Sequence, residues 1–226
     1  MATSSQYNFN PPLGSLTLAA FSRIGIRRTE LLSEHMENAY FELNLMQADW
    51  GADGILWWTV ELVSVPLSVG VATYQTDPKV VSLLDIYINN GSYNRLIWPF
   101  SRTDYASLAN PTQQGFPTVY WWDRLIQPTI TLWEVPDASA TYTMNYYAYT
   151  QMQDAVPKQG GNANIPYFWL DAYVADLAHR LARHHAPALE QQRKADRDIA
   201  YGNACKQVEN TAIFISPGLS GYFRNQ

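Results

Sequence analysis

Positive charge is scarce in this chain, and cysteine is almost absent. Of its 226 residues 15 are lysine or arginine against 20 aspartate or glutamate, for a net charge of −5. Between Trp50 and Val156 the only basic residues are Lys79, Arg95, Arg102 and Arg124. Affinity for phosphate backbones grows with clustered cations, so sequence-independent gripping of nucleic acid is excluded. An acidic surface instead lets DNA pass without sticking, which permits a conduit. The single cysteine, Cys205, precludes an internal disulfide and leaves a zinc site without a thiolate set, so it reads as packing. No apolar run approaches the ~20 residues that span a bilayer. The start MATSSQYNFN lacks the basic and apolar regions of a secretory leader, so the expectation is a soluble protein made in a cytoplasm. Neither a GxxxxGK phosphate loop nor a GxGxxG turn occurs, which leaves nucleotide chemistry without support.

What is abundant is apolar and aromatic surface: 47% hydrophobic and 14% aromatic residues against 15% charged. A chain of this length buries roughly 70% of its unfolded surface, and interfaces would absorb the apolar excess. The pattern predicts an α+β protein: a helical bundle made from the two ends of the chain, an antiparallel β domain inserted between its second and third helices, and an extended C-terminal tail. Boundaries are expected at 1–54, 55–156, 157–212 and 213–226. Ser15 is placed to cap a helix that Gly25 stops. From Thr29 a second helix carries Leu32, Met36, Ala39, Tyr40, Leu43, Met46 and Trp50 at three- and four-residue steps. Strands are expected over 55–66, 71–74, 80–89, 95–99, 118–123, 129–135 and 141–149, with Asn90-Gly91 as a two-residue hairpin turn. After a linker over 158–162, Asn164 and Pro166 start a third helix whose Leu170, Tyr173, Val174, Leu177, Leu181 and Ala182 share a side. Pro187 opens a fourth, with a narrow stripe of Leu189, Ile199, Val208 and Ala212.

The stretch Ser101 to Asp137 is the most specific. It reads Arg102-x-Asp104-Tyr105, then Gly115-x-Pro117, then an aromatic pair followed by Asp123-Arg124, then Leu132-Trp133-x-Val135-Pro136-Asp137. This spaced series resembles the head-to-tail adaptor (connector) proteins of short-tailed bacteriophages. Pro166-x-x-Trp169 and the Leu177-Ala178-x-x-Leu181-Ala182 run look like the same family's helix start and continuation. The resemblance covers the chain after Ser15 and is strongest from Ser101 to Ala186; Glu134 departs from it where the family pattern has proline. It implies a structural virion protein at the head–tail interface, assembled in the host cytoplasm. Such a protein forms a ring of identical subunits, a dodecamer, which docks under the portal, extends the DNA channel and receives the tail nozzle. No catalytic residue, cofactor or membrane is implied, and DNA passes the channel without specific binding. Arg102, Asp104, Tyr105, Gly115, Pro117, Asp123, Arg124, Trp133, Pro136 and Trp169 read as scaffold, with Asp104 and Arg124 able to pair.

The tail IFISPGLSGYFR is apolar and aromatic yet too broken by proline and glycine for a helix. It is either a strap across its own domain or an arm that docks elsewhere. The resemblance favours an arm reaching the portal, with Ile213, Phe214, Ile215, Leu219, Tyr222 and Phe223 as its contacts.

Rival chemistries use other residues. A tail-associated peptidoglycan hydrolase needs two carboxylates in acid and base roles, from Glu61, Asp85, Asp104, Asp123 and Glu134, with Asp104 and Glu134 the pair of choice. A carbohydrate-binding module would use Trp57, Trp58, Trp121 and Trp122, but strand alternation turns only one of each pair outward. His179, His184 and His185 lack the spacing of a metal set on one helix face, and with Arg183 they complement the negative end of a helix dipole. Arg23, Arg27 and Arg28 form a small basic cluster between the first two helices, read as a solvated loop or a subunit contact.

Overall fold

The computed structural model describes residues 9–155 and 161–209. The fold is α+β, with five α-helices and ten short strands among the described residues. Two compact units divide the chain: Met1–Met46 with Asp154–Gln226, which is helical, and Gln47–Gln153, which carries every described strand. The boundary expected at 54/55 falls earlier, at 46/47, inside the second helix. Trp50 belongs with the turn that follows it, since the Ile55 N–H donates to the Trp50 carbonyl (2.9 Å) and Ile55 and Leu56 are buried.

In the helical unit, α1 (Leu13–Arg23) begins two residues before the expected cap. Pro12 holds an extended backbone at the N-cap and its carbonyl accepts the N–H groups of Ser15 and Leu16, which leaves Ser15 inside the first turn. The stop is as the sequence implied: Gly25 adopts φ 87°, and the Gly25 and Ile26 N–H groups close on the Ser22 and Phe21 carbonyls in a Schellman motif. The second helix starts later than Thr29. Arg28–Glu30 forms a single 3-10 turn, held by the Glu30 carboxylate accepting the Arg27 N–H (3.0 Å), and α2 (Ser33–Ala52) follows. Leu32 is therefore outside the helix and exposed, while Ala39, Leu43, Met46 and Trp50 are buried at the expected steps.

A 3-10 turn over Tyr167–Trp169 leads from extended Pro166 into α4 (Leu170–His185), numbered after α3 of the β unit (Arg102–Ala106). All six residues expected on one side of α4 are buried, and so are Ala172, Ala175, Asp176, Ala178 and His179 between them. This helix is thus enclosed almost all round, with α1 and α5 (Glu190–Glu209) against it. Of the stripe expected on α5, Leu189 is half-buried and Ile199 is 65% exposed, while the Val208 side chain and Ala212 lie outside what is described. Its inward row is Arg193, Arg197, Tyr201 and Ala204, with Tyr201 edge-on to the buried Trp169 indole (5.6 Å).

Besides a two-stranded ladder, the β unit has two four-stranded sheets. One runs β1 (Val60–Pro66), β10 (Thr143–Thr150), β3 (Val80–Asn89), β4 (Asn94–Leu96), and is antiparallel throughout. The other runs β2 (Thr73–Gln75), β8 (Thr129–Trp133), β7 (Val119–Asp123), β5 (Trp98–Pro99). The domain is antiparallel in all its longer pairings, as expected; two short ones are parallel, β5 with β7 and β6 (Gln114–Gly115) with β9 (Val135–Pro136). Long connections that return in the same direction make these short parallel contacts possible. The period-two pattern turns Ile86, Ile88, Met144 and Tyr146 of the first sheet and Tyr120, Ile130 and Leu132 of the second into one shared core. The hairpin at Asn90-Gly91 has four loop residues, not two, since Asn89 pairs with Asn94. Its shape comes from side chains: Asn89 Oδ1 accepts the Gly91 N–H (2.7 Å) and Asn90 Oδ1 those of Ser92 and Tyr93, with Gly91 at φ 88°.

Candidate functional site

The spaced pattern folds into one excursion that leaves β5, crosses the outer face of the second sheet and returns through β6 to β7. It opens on α3, a helix of five residues that exists because it is capped. Ser101 Oγ accepts the Asp104 N–H (3.1 Å), and the Asp104 carboxylate accepts the Ser101 hydroxyl (2.6 Å) and N–H (3.3 Å) in a capping box. Arg102 is exposed beside it. Tyr105 tilts onto the outward-facing Trp121 (5.7 Å) and its hydroxyl donates to the Leu132 carbonyl; burial raises its pKa. Further along, the Trp133 indole N–H donates to the Asn110 carbonyl (2.8 Å), which pins the loop to the sheet.

The excursion ends where Gly115 passes Glu134. A Cβ on Gly115 would stand 2.8 Å from a Glu134 carboxylate oxygen, so a larger residue there would require the flexible end of the Glu134 side chain to move. Glu134 also accepts from the Gln113 side-chain amide (2.7 Å), and Gly115 pairs with Pro136. Pro117 is buried. Asp137 closes the far side: its carboxylate accepts the Ser139 hydroxyl and N–H and the Tyr142 hydroxyl (2.9 Å), and those hydrogen bonds, Ser139's first, hold its pKa below the usual carboxylate range.

Several expected pairings do not form. Asp104 and Arg124 make no ion pair: Asp104 serves Ser101, and the Arg124 guanidinium lies over the Trp122 ring (4.6 Å) at the end of β7, next to Asp123. Trp133 stands on the outer face opposite Val119 and is only half-buried. The two hydrolase candidates hydrogen-bond elsewhere, Asp104 with Ser101 and Glu134 with the Gln113 side chain. Glu61 is paired with Lys79 (2.7 Å). Trp121 and Trp122 face opposite sides of the sheet, as alternation requires, and Trp57 and Trp58 sit in the turn before β1. Trp169 is fully buried in the helical unit. The six tail contacts, Ile213 to Phe223, lie outside the described residues.

The histidines go to separate places. His184 meets Glu42 (3.1 Å), His185 stands edge-on to His35 (4.8 Å) beside Phe21, and His179 is buried near Arg183. Of the basic cluster, Arg23 pairs with Asp171, while Arg28 borders an open groove of about 470 Å³ between α1 and α2, lined also by Leu18, Leu31, Met36 and Tyr40. A second groove of about 300 Å³ lies along α5, where Asp171 and Asp196 are each neutralised by an arginine.

Sequence reasoning missed the charge cluster inside the helical unit. The nearly buried Asp176 carboxylate lies 3.6 Å from Arg180 and 3.7 Å from Arg197, and Arg180 reaches Glu42 at 3.6 Å. The signals present were Asp176 and Arg180 four apart on α4, and Arg193, Arg197 and Tyr201 four apart on α5. No protein-family model matches this chain, and no curated protein matches it.

Proposed function

We propose that this chain is the head-to-tail adaptor of a short-tailed bacteriophage: a ring-forming structural protein that docks under the portal, extends the DNA channel and receives the tail nozzle. The observation that supports it most is the use of the spaced pattern. From Asp104 in its capping box to Gly115 against Glu134 and Pro136, the pattern's residues serve to build one crossing loop on a β sandwich. That is the behaviour of a structural signature, and not of polar groups gathered around a substrate. The order of the units agrees with the same reading, since a helical unit drawn from both ends of the chain encloses the β unit in sequence. With a net charge of −5, the surface would repel passing DNA.

In this proposal the helical unit contacts neighbours, the β unit meets the nozzle, and the segment Ile213 to Gln226 reaches the portal. Phe214, Tyr222 and Phe223 are its anchors, because aromatic side chains give large contact area at low entropic cost. The test is electron microscopy of the protein mixed with isolated portal, with co-sedimentation of the full-length and 213–226-deleted forms. A ring on the portal that is lost on deletion, with unchanged melting of the remainder, is the expected result. If the deleted form binds portal unchanged, the docking surface lies elsewhere. Peptidoglycan clearing that one carboxylate-to-amide change abolishes would replace the proposal with hydrolysis.

A further inference from the structure

From Gly25 to Asn38 no residue is buried. The 3-10 turn over Arg28–Glu30 and the first turn of α2 are therefore held by few contacts, the make-up of a segment that opens before the rest of its unit. Its best-placed anchor is His35, half-buried at the third position of α2. His35 Nδ1 accepts the Leu32 N–H (3.3 Å), the role that glutamate or glutamine plays in a capping box. A ring nitrogen accepts only while it carries no proton, so this cap requires a neutral imidazole with its hydrogen on Nε2.

His35 also meets α4 and α1. The His185 ring stands edge-on to it, with centroids 4.8 Å apart and planes at 73°, and the two imidazoles lie 6.2 and 6.1 Å from the buried Phe21 ring. His185 Nε2 is itself buried with no hydrogen-bond partner among the described residues. The imidazolium form of His185 would place an N–H donor there without an acceptor, and a proton on His35 Nδ1 would break the Leu32 cap. With both rings charged, two cations would also stand ring against ring. We propose that the His35–His185 contact over Phe21 is an acid-operated latch, which holds the segment 25–38 against α1 and α4 while both imidazoles are neutral and releases it when they take up protons.

The other charges at this junction have partners. Glu42 is shared by His184 (3.1 Å) and Arg180 (3.6 Å), Arg183 pairs with Glu190, Arg23 with Asp171, and the Glu30 carboxylate accepts the Arg27 N–H. Burial holds the His185 pKa below its ordinary value, the charges of His35 and His184 add to this, and Glu34 opposes with the smallest effect. With the folded value lowered, the closed form is favoured above about pH 6.5 and loses that preference as pH falls. His184 acts the other way, because its protonated ring would bind the Glu42 carboxylate more strongly and keep the body of α2 on α4. Release is thus confined to the segment upstream of Ala39, the first buried residue of α2, and it uncovers Phe21 and the Leu31 and Met36 side of the groove beside α1.

The test is hydrogen exchange of the full-length chain read by mass spectrometry, with protection expressed against the unstructured rate at each pH. From pH 7.5 to pH 5.5 the amides of 26–38 are expected to lose at least about tenfold in protection, the change for one histidine that binds its proton only in the open form. At both pH values they should exchange well before those of α4. His35→Gln offers the Leu32 N–H a side-chain oxygen that does not titrate, so it should keep the protection at pH 7.5 and reduce the loss. Adding His185→Gln should remove the loss, and His184→Gln alone should leave it in place. A change of less than about twofold in the unmodified chain would overturn the latch, whatever the variants do. So would a loss that survives in the double variant, or a segment 26–38 that exchanges in step with α4, which is opening of the whole unit. The device stands apart from the adaptor reading, since every outcome is read on the isolated chain.

Discussion

The helical unit and the β unit solve the packing problem with different chemistry. Around α4 the helical unit encloses ions: Asp176, Arg180 and Glu42 are all nearly buried, with Arg197 closing the set. The core of the β unit is made from Ile, Leu, Met and Tyr of two sheets, and its Lys79–Glu61 pair stands at the surface. Charges taken out of water are costly unless each keeps a partner, so the helical unit depends on a few specific pairings. The β unit depends on register and volume, which many apolar contacts share.

The largest expected effect tests that contrast directly. Asp176→Ala leaves Arg180 and Arg197 without their shared carboxylate and should destabilise the helical unit by about 3–5 kcal/mol. Urea melting followed by hydrogen exchange in each unit would show the loss confined to the helices; a change under about 1 kcal/mol would mean that water already solvates this cluster.

In the β unit, Trp133→Ala should cost about 2 kcal/mol, less than the loss of a fully buried ring, because only half of the indole is covered and one hydrogen bond to Asn110 goes with it. A cost of about 4 kcal/mol or more in denaturant melting would mean that the indole is fully buried. Gly115→Ala should cost at most about 1 kcal/mol, since the Glu134 carboxylate can swing aside at the expense of its bond to Gln113. Adding Glu134→Ala should recover most of it, so a double-mutant cycle with no coupling would show that the close approach is not what constrains Gly115.

The smallest effect is one of pH. Burial lowers the pKa of His179, with Arg183 adding to it, and that of His185, where His35 and His184 add to it; Asp176 and Glu34 oppose weakly. Both folded values lie below the ordinary value of about 6.5. The unfolded chain therefore binds more protons than the folded one as pH falls through that value, and stability is lost on going from pH 7 toward 5. The helical unit's melting temperature should drop over this window, and His179→Gln with His185→Gln should flatten the drop. A drop that persists in the double variant would assign it to other groups.

Much of the fold was legible in local chemistry. The bounds of β3 followed from its β-branched run, the stop at Gly25 from glycine's tolerance of positive φ, and the turn at Asp137 from its capping carboxylate. Alternation alone said that one of Trp121 and Trp122 turns outward. Of the candidate site, the sequence held its residues and their spacing, but Asp104 reads there as an ion-pair partner or an acid and not as part of a helix cap. Its partner is Ser101, three residues earlier, which caps α3 while Asp104 completes the capping box.

Sequence by itself determined the α+β class and the inserted β segment, because periodicity and turn residues act over a few positions. Tertiary structure decided which faces were covered. It put arginines on the inward side of α5 and left Ile199 outside, because Asp176 on α4 offers a buried partner that no helical period reveals. It put Trp133 on an outer face and paired β5 with β7 and β6 with β9 in parallel, because strand neighbours are set by long-range pairing. And it left Leu62 and Tyr147 exposed, since whether an apolar strand face is inside depends on what packs over it and not on the residues it carries.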